Sequence, residues 1–450
     1  MKCFVGIDLG STTSKAVVLD SDGEVLGRGI TNSRSNYEMA SAIARTEAYV
    51  TTRFTLFERD LAERLCDQPE QERGALSSAL QRAFRLQQYL TQLESLERTT
   101  EDLLDTRRYA PRRAAVRPRL RDIFGRLQDE APALFAEGAK RRSDFFRDIA
   151  GSAYQAAAED LADAEDAPFG LLLALYDKAI LDVENEQLEL GFEANIGLAL
   201  ERVIAEADPV IAKACRAAAE AAANAELDEI RAVGTGYGRA RLPFPRDQIR
   251  SEILCHGLGA HAMFPNTRTV LDIGGQDTKA IQVDDVGIVT SFQMNDRCAA
   301  GCGRYLGYIA DEMNIGLHEL GPLAQKAERK VRISSTCTVF AGAELRERLA
   351  LGERREDILG GLHRAIILRA MSLLARSGGV DDEFTFTGGV ANNAAAVDAL
   401  RDLVSENYGE LQINISPDSI YTGALGAAIF ALRDVQHETT KSEESMEAAA

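Results

Sequence analysis

FVGIDLGSTTSKAVVLDSDGEVLGRG, residues 4–29, decides the fold. Its aliphatic and β-branched runs read as two strands joined by a Gly, Ser and Thr turn, with Asp8 at the end of the first strand. A carboxylate there can hold a hydrated Mg²⁺, while Gly10, Ser11, Thr12 and Thr13 let backbone N–H groups approach phosphate oxygens, with Lys15 beside them. Alone, such a turn is an ordinary hairpin. Outward along the chain, TVLDIGGQDTKAIQVDDVG (269–287) repeats the plan: a strand, then Asp272, then Gly274, Gly275 and Gln276. A third turn, FTFTGGVANNAAAV (384–397), follows a Phe- and Thr-rich strand and opens a helix at about Asn392. Gly388 and Gly389 leave bare backbone there for a ribose or adenine ring. Three such turns in order point to a nucleotide site.

Cys298 in QMNDRCAAGCGRYL and Cys337 in ISSTCTVFAGAEL each precede a helix-like segment. Unsatisfied N–H groups at a helix start favour a thiolate and an anionic cluster. An iron-sulfur cluster normally takes four cysteines, so two per chain call for a second subunit with another pair. Cys302 sits four residues after Cys298 and is read as filling a small-residue site. Cys3, Cys66, Cys215 and Cys255 fit buried, inert thiols. His256 and His261 stand at i and i+5, off the spacing one helix face offers a metal, and are assigned to packing. With no Walker A lysine loop or zinc pattern, chemistry on a nucleotide would rest on carboxylates, Mg²⁺ and backbone donors.

The turns together resemble the actin, sugar kinase and heat-shock ATPase superfamily. GIDLGSTTSK, GTGYGR, LDIGGQDTK, FQMNDRCAAGCGRYL, SSTCTVFA, TGGVANN and YTGALGAAIFA resemble, more specifically, the activator ATPases of 2-hydroxyacyl-CoA dehydratases and the ATP-binding subunits of benzoyl-CoA reductase. The resemblance implies an α/β protein of two ribonuclease-H-like lobes (an actin-like ATPase fold) with an all-helical insertion in the first lobe. It also implies that Asp8 orients Mg²⁺ through water and that Asp272 positions or deprotonates the attacking water. Thr12, Thr13 and Lys15 would border the phosphates, and Gly388, Gly389 and Asn392 the nucleoside. Cys298 and Cys337 would hold a 4Fe-4S cluster shared with a partner subunit, loaded by ferredoxin. The main expectation is the larger ATP-binding subunit of benzoyl-CoA reductase, working with a smaller homologous ATPase subunit and two further subunits that bind the acyl-CoA substrate. The alternatives are a homodimeric activator of a 2-hydroxyacyl-CoA dehydratase, a sugar or amino-sugar kinase, and a noncatalytic assembly ATPase.

Composition bounds the rest. A formal charge of −19 in 450 residues leaves nothing to attract a phosphate backbone, so no nucleic-acid partner is expected. Met1 leads directly into the first strand, no uninterrupted apolar run is long enough to span a membrane, and seven cysteines lack a disulfide pattern. A cytoplasmic protein with no membrane partner is therefore expected. From about 47 to 205 glycine and β-branched runs nearly vanish, and LSSALQRAFRLQQYLTQLESLERTTEDLL shows helical spacing. The expected order is first lobe (1–46), helical insertion (47–205), first lobe continued (206–265), second lobe with the cysteines (266–433) and a disordered tail (434–450). The insertion favours the reductase subunit, because dehydratase activators resemble the two lobes alone. YAPRRAAVRPRLRD, rich in Pro and Arg, is expected to break or join helices as a charge-balanced junction.

Overall fold

The computed structural model describes residues 1–33, 36–139, 141, 143–186, 188–236, 244–295, 301–329, 331–333 and 338–447. The chain begins with β1 (Lys2–Leu9), β2 (Thr13–Leu19) and β3 (Val25–Asn32). Seven helices follow: α1 (Tyr37–Arg64), α2 (Glu70–Leu104), α3 (Arg113–Leu134), α4 (Phe146–Leu161), α5 (Phe169–Asn185), α6 (Phe192–Ile204) and α7 (Pro209–Asn224). Strands return with β4 (Asp228–Gly236), then α8 (Glu252–Met263), β5 (Thr269–Ile273), β6 (Thr278–Val283) and β7 (Val289–Asn295). The chain continues through α9 (Gly303–Met313), α10 (Leu317–Ala324), α11 (Thr338–Ala350), α12 (Arg355–Ser377), β8 (Phe384–Thr387), α13 (Ala394–Tyr408), β9 (Ile413–Asn414) and α14 (Thr422–Glu447).

Two compact units result: Met1–Ala48 with Leu227–Ala450, and Tyr49–Glu226. The first unit holds two sheets, ordered β3-β2-β1-β4 and β7-β6-β5-β8-β9. They share one plan, an antiparallel meander with a parallel strand added beside its first strand: β4 on β1, and β8 on β5. Both central strands are almost wholly buried, as expected of strands covered on both faces. Bare glycines allow α14 to press on the first sheet and α8 on α14. A Cβ on Gly6 would lie 2.0 Å from the Ala424 carbonyl oxygen, and one on Gly426 1.9 Å from that of Cys255. α12 is long and apolar enough to span a membrane, but 61% of its apolar window is buried inside the protein.

The second unit is all helix. The 35-residue α2 runs through both of its cores: Leu93, Leu96 and Leu104 join α3, α4 and α5, while Leu80 and Phe84 join α1, α6 and α7. Phe54, Phe84 and Phe192 meet with ring centroids 5.1–5.8 Å apart. The helical segment expected to end at 205 runs on to Glu226, because Cys215, Ala218 and Ala222 of α7 pack in that core. The tail expected to be disordered from 434 continues α14 as helix to Glu447. The Pro/Arg segment breaks the helices only up to Arg112: α3 passes through Pro118. Arg117 pairs there with Glu101 (2.9 Å) and Asp105 (2.5 Å), a balanced junction.

Candidate nucleotide site

The site forms where the hairpin turns of the two sheets meet. In the first, Asp8 is paired across the ladder with Lys15, and its Oδ2 lies 3.8 Å from Lys15 Nζ. Asp8 is 3% exposed, and its Oδ1 has no hydrogen-bond partner among the described residues. In the second, Asp272 is paired with Lys279 in the same register position. Gly275 lies directly on the first turn: a Cβ there would stand 2.2 Å from Thr12 Oγ1. Gly10, Ser11, Thr12, Thr13, Gly274, Gly275 and Gln276 are thus brought into one neighbourhood, partly open to solvent. The third turn joins from β8, which lies beside β5. Gly388, at φ +87°, runs against Ile273 and Asp272, where a Cβ would lie 2.4 Å from the Ile273 carbonyl oxygen. Gly389 faces open space.

Asp272 is the most constrained group. Thr387 Oγ1 donates to its Oδ1 at 2.9 Å, and Lys279 Nζ donates to its Oδ2 at 3.2 Å. Burial pushes its pKa up, but His256, Lys279 and Thr387 outweigh that and hold the carboxyl well below the usual range. Lys279, 1% exposed, also meets Asp277 at 2.8 Å and Glu252 at 2.9 Å. Burial alone would lower the ammonium pKa, and the carboxylates of Asp272, Glu252 and Asp277 raise it well above normal. Asp277 is pushed up, mainly by burial. A buried Asp8 oxygen without a partner fits a metal-bound water shell, since Mg²⁺ at phosphates keeps waters and uses few carboxylates.

α9 grips the second turn from behind: Gly303 N–H donates to Gly274 O and Arg304 N–H to Gly275 O, both at 2.8 Å. α9 and α11 pack side by side, with Gly342 against Tyr308 and Arg346 paired to Glu312. Cys298 and Cys337 lie outside the described residues. Cys302 is fully buried as the residue capping the start of α9, while Cys255 is inert, its thiol pushed up to about 12 by burial. Cys66, expected to be buried, is exposed.

Asn392 is exposed, and its neighbour Asn393 does the structural work, its Oδ1 accepting from Ala395 N–H at 3.1 Å and Ala396 N–H at 3.2 Å to cap α13. Lys279, Glu252, Asp277 and Thr387 belong to the site and escape the motif reading. The signal for Lys279 was present: Lys15 follows Asp8 and Lys279 follows Asp272 at the same spacing. His256, expected to be packing, also lies at this site.

The description of the BadF/BadG/BcrA/BcrD ATPase family matches residues 5–431. The chain belongs to that family. It is 42% identical over 221 residues to the (R)-2-hydroxyglutaryl-CoA dehydratase activating ATPase of Acidaminococcus fermentans, covering 48% of this chain and 82% of that protein. It is 33% identical over 175 residues to a benzoyl-CoA reductase subunit of Thauera aromatica, covering 39% of this chain and 62% of that one. In fold it resembles the activator of the 2-hydroxyisocaproyl-CoA dehydratase from Clostridium difficile with bound ADPNP, at TM-score 0.54 and 21% identity, over 98% of this chain and 97% of that one. An α/β ATPase architecture of the activator kind is therefore shown, and the dehydratase activators stand nearer than the benzoyl-CoA reductase subunit that the sequence reading preferred.

Proposed function

We propose that this chain is an ATP-hydrolysing electron activator of the 2-hydroxyacyl-CoA dehydratase kind, built from two ribonuclease-H-like lobes that carry the two sheets. The observation that carries the proposal is the meeting of the two turns at Gly275 and Thr12, with the buried, partnerless Asp8 Oδ1 behind them. Backbone N–H groups of Gly10–Thr13 and Gly274–Gln276, with Lys15, bind the phosphates. Gly388, Gly389 and Asn392 border the nucleoside. Asp8 holds Mg²⁺ through water, and Asp272, kept ionised by Lys279 and Thr387, orients the attacking water. Cys298 and Cys337, with an equivalent pair from a second copy, would hold a 4Fe-4S cluster that supplies one-electron transfer when bound. Reduced ferredoxin is the proposed donor, and a 2-hydroxyacyl-CoA dehydratase the acceptor. The higher identity to the activating ATPase supports this over the reductase reading.

The test is anaerobic purification followed by assay of nucleotide-dependent phosphate release. Wild-type turnover is expected, with Asp272→Asn binding ATP normally and losing hydrolysis by about 10²-fold or more. A wild-type chain that releases no phosphate would overturn the reading. A second reading, the larger ATP-binding subunit of benzoyl-CoA reductase, is favoured by the helical unit Tyr49–Glu226, which the sequence resemblance associates with that subunit.

A further inference from the structure

His256 stands on α8, whose first residue, Glu252, already serves the site through Lys279. It is 6% exposed, and neither ring nitrogen has a hydrogen-bond partner among the described residues. Burying a polar atom without a partner costs about 1–3 kcal/mol. A buried imidazole with both nitrogens unsatisfied therefore calls for a partner beyond the described residues, such as a bound water. Its surroundings say where that partner sits. Nε2 lies 4.0 Å from Asp272 Oδ2, beyond hydrogen-bond range. Gly423, in the first turn of α14, separates the ring from Asp8: a Cβ built there would lie 2.9 Å from His256 Nε2 and 3.0 Å from Asp8 Oδ2. Asp8 Oδ1 is likewise buried and without a partner among the described residues. The unpartnered imidazole thus lies between the carboxylate assigned to the attacking water, on one side, and the carboxylate assigned to Mg²⁺, across one bare glycine, on the other.

We propose that His256 is a further catalytic residue of this ATPase, its Nε2 hydrogen-bonding the water that Asp272 orients for attack on the terminal phosphate. This rests on the hydrolytic reading above. The imidazole and Asp272 then fix the water from two directions, which narrows its approach to the in-line geometry that phosphoryl transfer requires. Gly423 is glycine because a methyl group would enter the space that the ring and Asp8 share. The arrangement depends on hydrogen-bonding reach alone and needs no change in the charge of the ring.

Two replacements of similar size decide it. His256→Gln keeps an N–H donor at comparable reach, and His256→Leu keeps the bulk without one. Both are assayed for phosphate release and for binding of a fluorescent ATP analogue, with thermal melting as the check on folding. His256→Leu is expected to lose at least tenfold in kcat with nucleotide affinity held within about threefold, the loss of one hydrogen bond to the reacting water. His256→Gln is expected to retain at least a third of the wild-type kcat. Equal turnover of the Leu variant and the wild type would overturn the inference, as would a Gln variant no better than Leu or a loss confined to affinity. If the Leu variant does not fold, the Gln variant decides by itself, turnover below a third of wild type counting against the inference. Gly423→Ala, which fills the shared space, is expected to lower kcat in the same way. A wild-type chain without phosphate release would instead overturn the hydrolytic reading, so the two failures are distinguishable.

Discussion

Lys279 shows how a single residue organises the site. Its ammonium is buried among Asp272, Asp277 and Glu252, and each distance is short enough for a charged hydrogen bond. Removing that cation leaves three carboxylates facing each other out of water, a cost of about 3–5 kcal/mol for a broken buried pair. Lys279→Met should therefore unfold at markedly lower denaturant concentration than the wild type. A midpoint within error of wild type would show that the carboxylates do not depend on the ammonium. Asp272 was legible in the sequence because an acid at a strand end before a glycine pair is a recognisable phosphate-turn feature. Lys279 was legible only by its spacing from Asp272, which matches that of Lys15 from Asp8; its burial was not legible. Only its pairing with Asp272, the counterpart of Lys15 with Asp8, reveals that it points inward. His256 is buried, as a packing residue should be, but its place beside Asp272 depends on α8 packing across to α14 and has no sequence signal.

At the scale of elements, the start of α13 depends on a chain of roles fixed one by one. Asn393 Oδ1 faces the helix amides, so its Nδ2 must face away, toward His363 Nε2 at 3.1 Å. That nitrogen has to accept, while Nδ1 donates to Leu359 O at 2.8 Å. The buried imidazole is therefore neutral, and burial lowers its pKa below the ordinary 6.5. A histidine kept neutral when folded gains its proton only on unfolding. Stability from this group is present above about pH 6.5 and falls as the pH drops below it, by up to about 1.4 kcal/mol per unit until the folded pKa is reached. Denaturation midpoints of wild type and His363→Gln between pH 7.5 and 5.5 should show this: the loss on acidification is expected to shrink in the variant, and parallel curves would refute the neutral assignment. Asn393→Ala should cost about 1 kcal/mol through the lost cap. The sequence placed the helix start near Asn392, two residues before α13 begins at Ala394, and Asn392 and Asn393 are identical in type. Only the backbone direction after Gly388 decides which of them caps and which faces solvent.

The molecule as a whole repeats one sheet plan twice and interrupts the first copy with an independent helical unit. The repeat was visible as two Asp-Gly turns. The limits of the helical unit were less visible, because the alanine-rich α7 carries no marker of which core it joins until Cys215 and Ala218 are seen packed with α1 and α6. Assembly follows from ligand count. In the proposed reading Cys298 and Cys337 would supply two ligands, and a four-cysteine cluster would need an equivalent pair from elsewhere. A twofold axis would bring two such pairs together, which a second copy of this chain would supply. The chain expressed alone and purified anaerobically is therefore expected to be a brown dimer with about four irons per two chains. Cys298→Ala or Cys337→Ala should lose that iron while leaving ATP binding intact, as iron and acid-labile sulfide assays and nucleotide titration would show. Iron that appears only on coexpression with a shorter homologue would transfer the preference to the reductase-subunit reading. The helical unit would then distinguish two unlike partners across a pseudo-twofold axis.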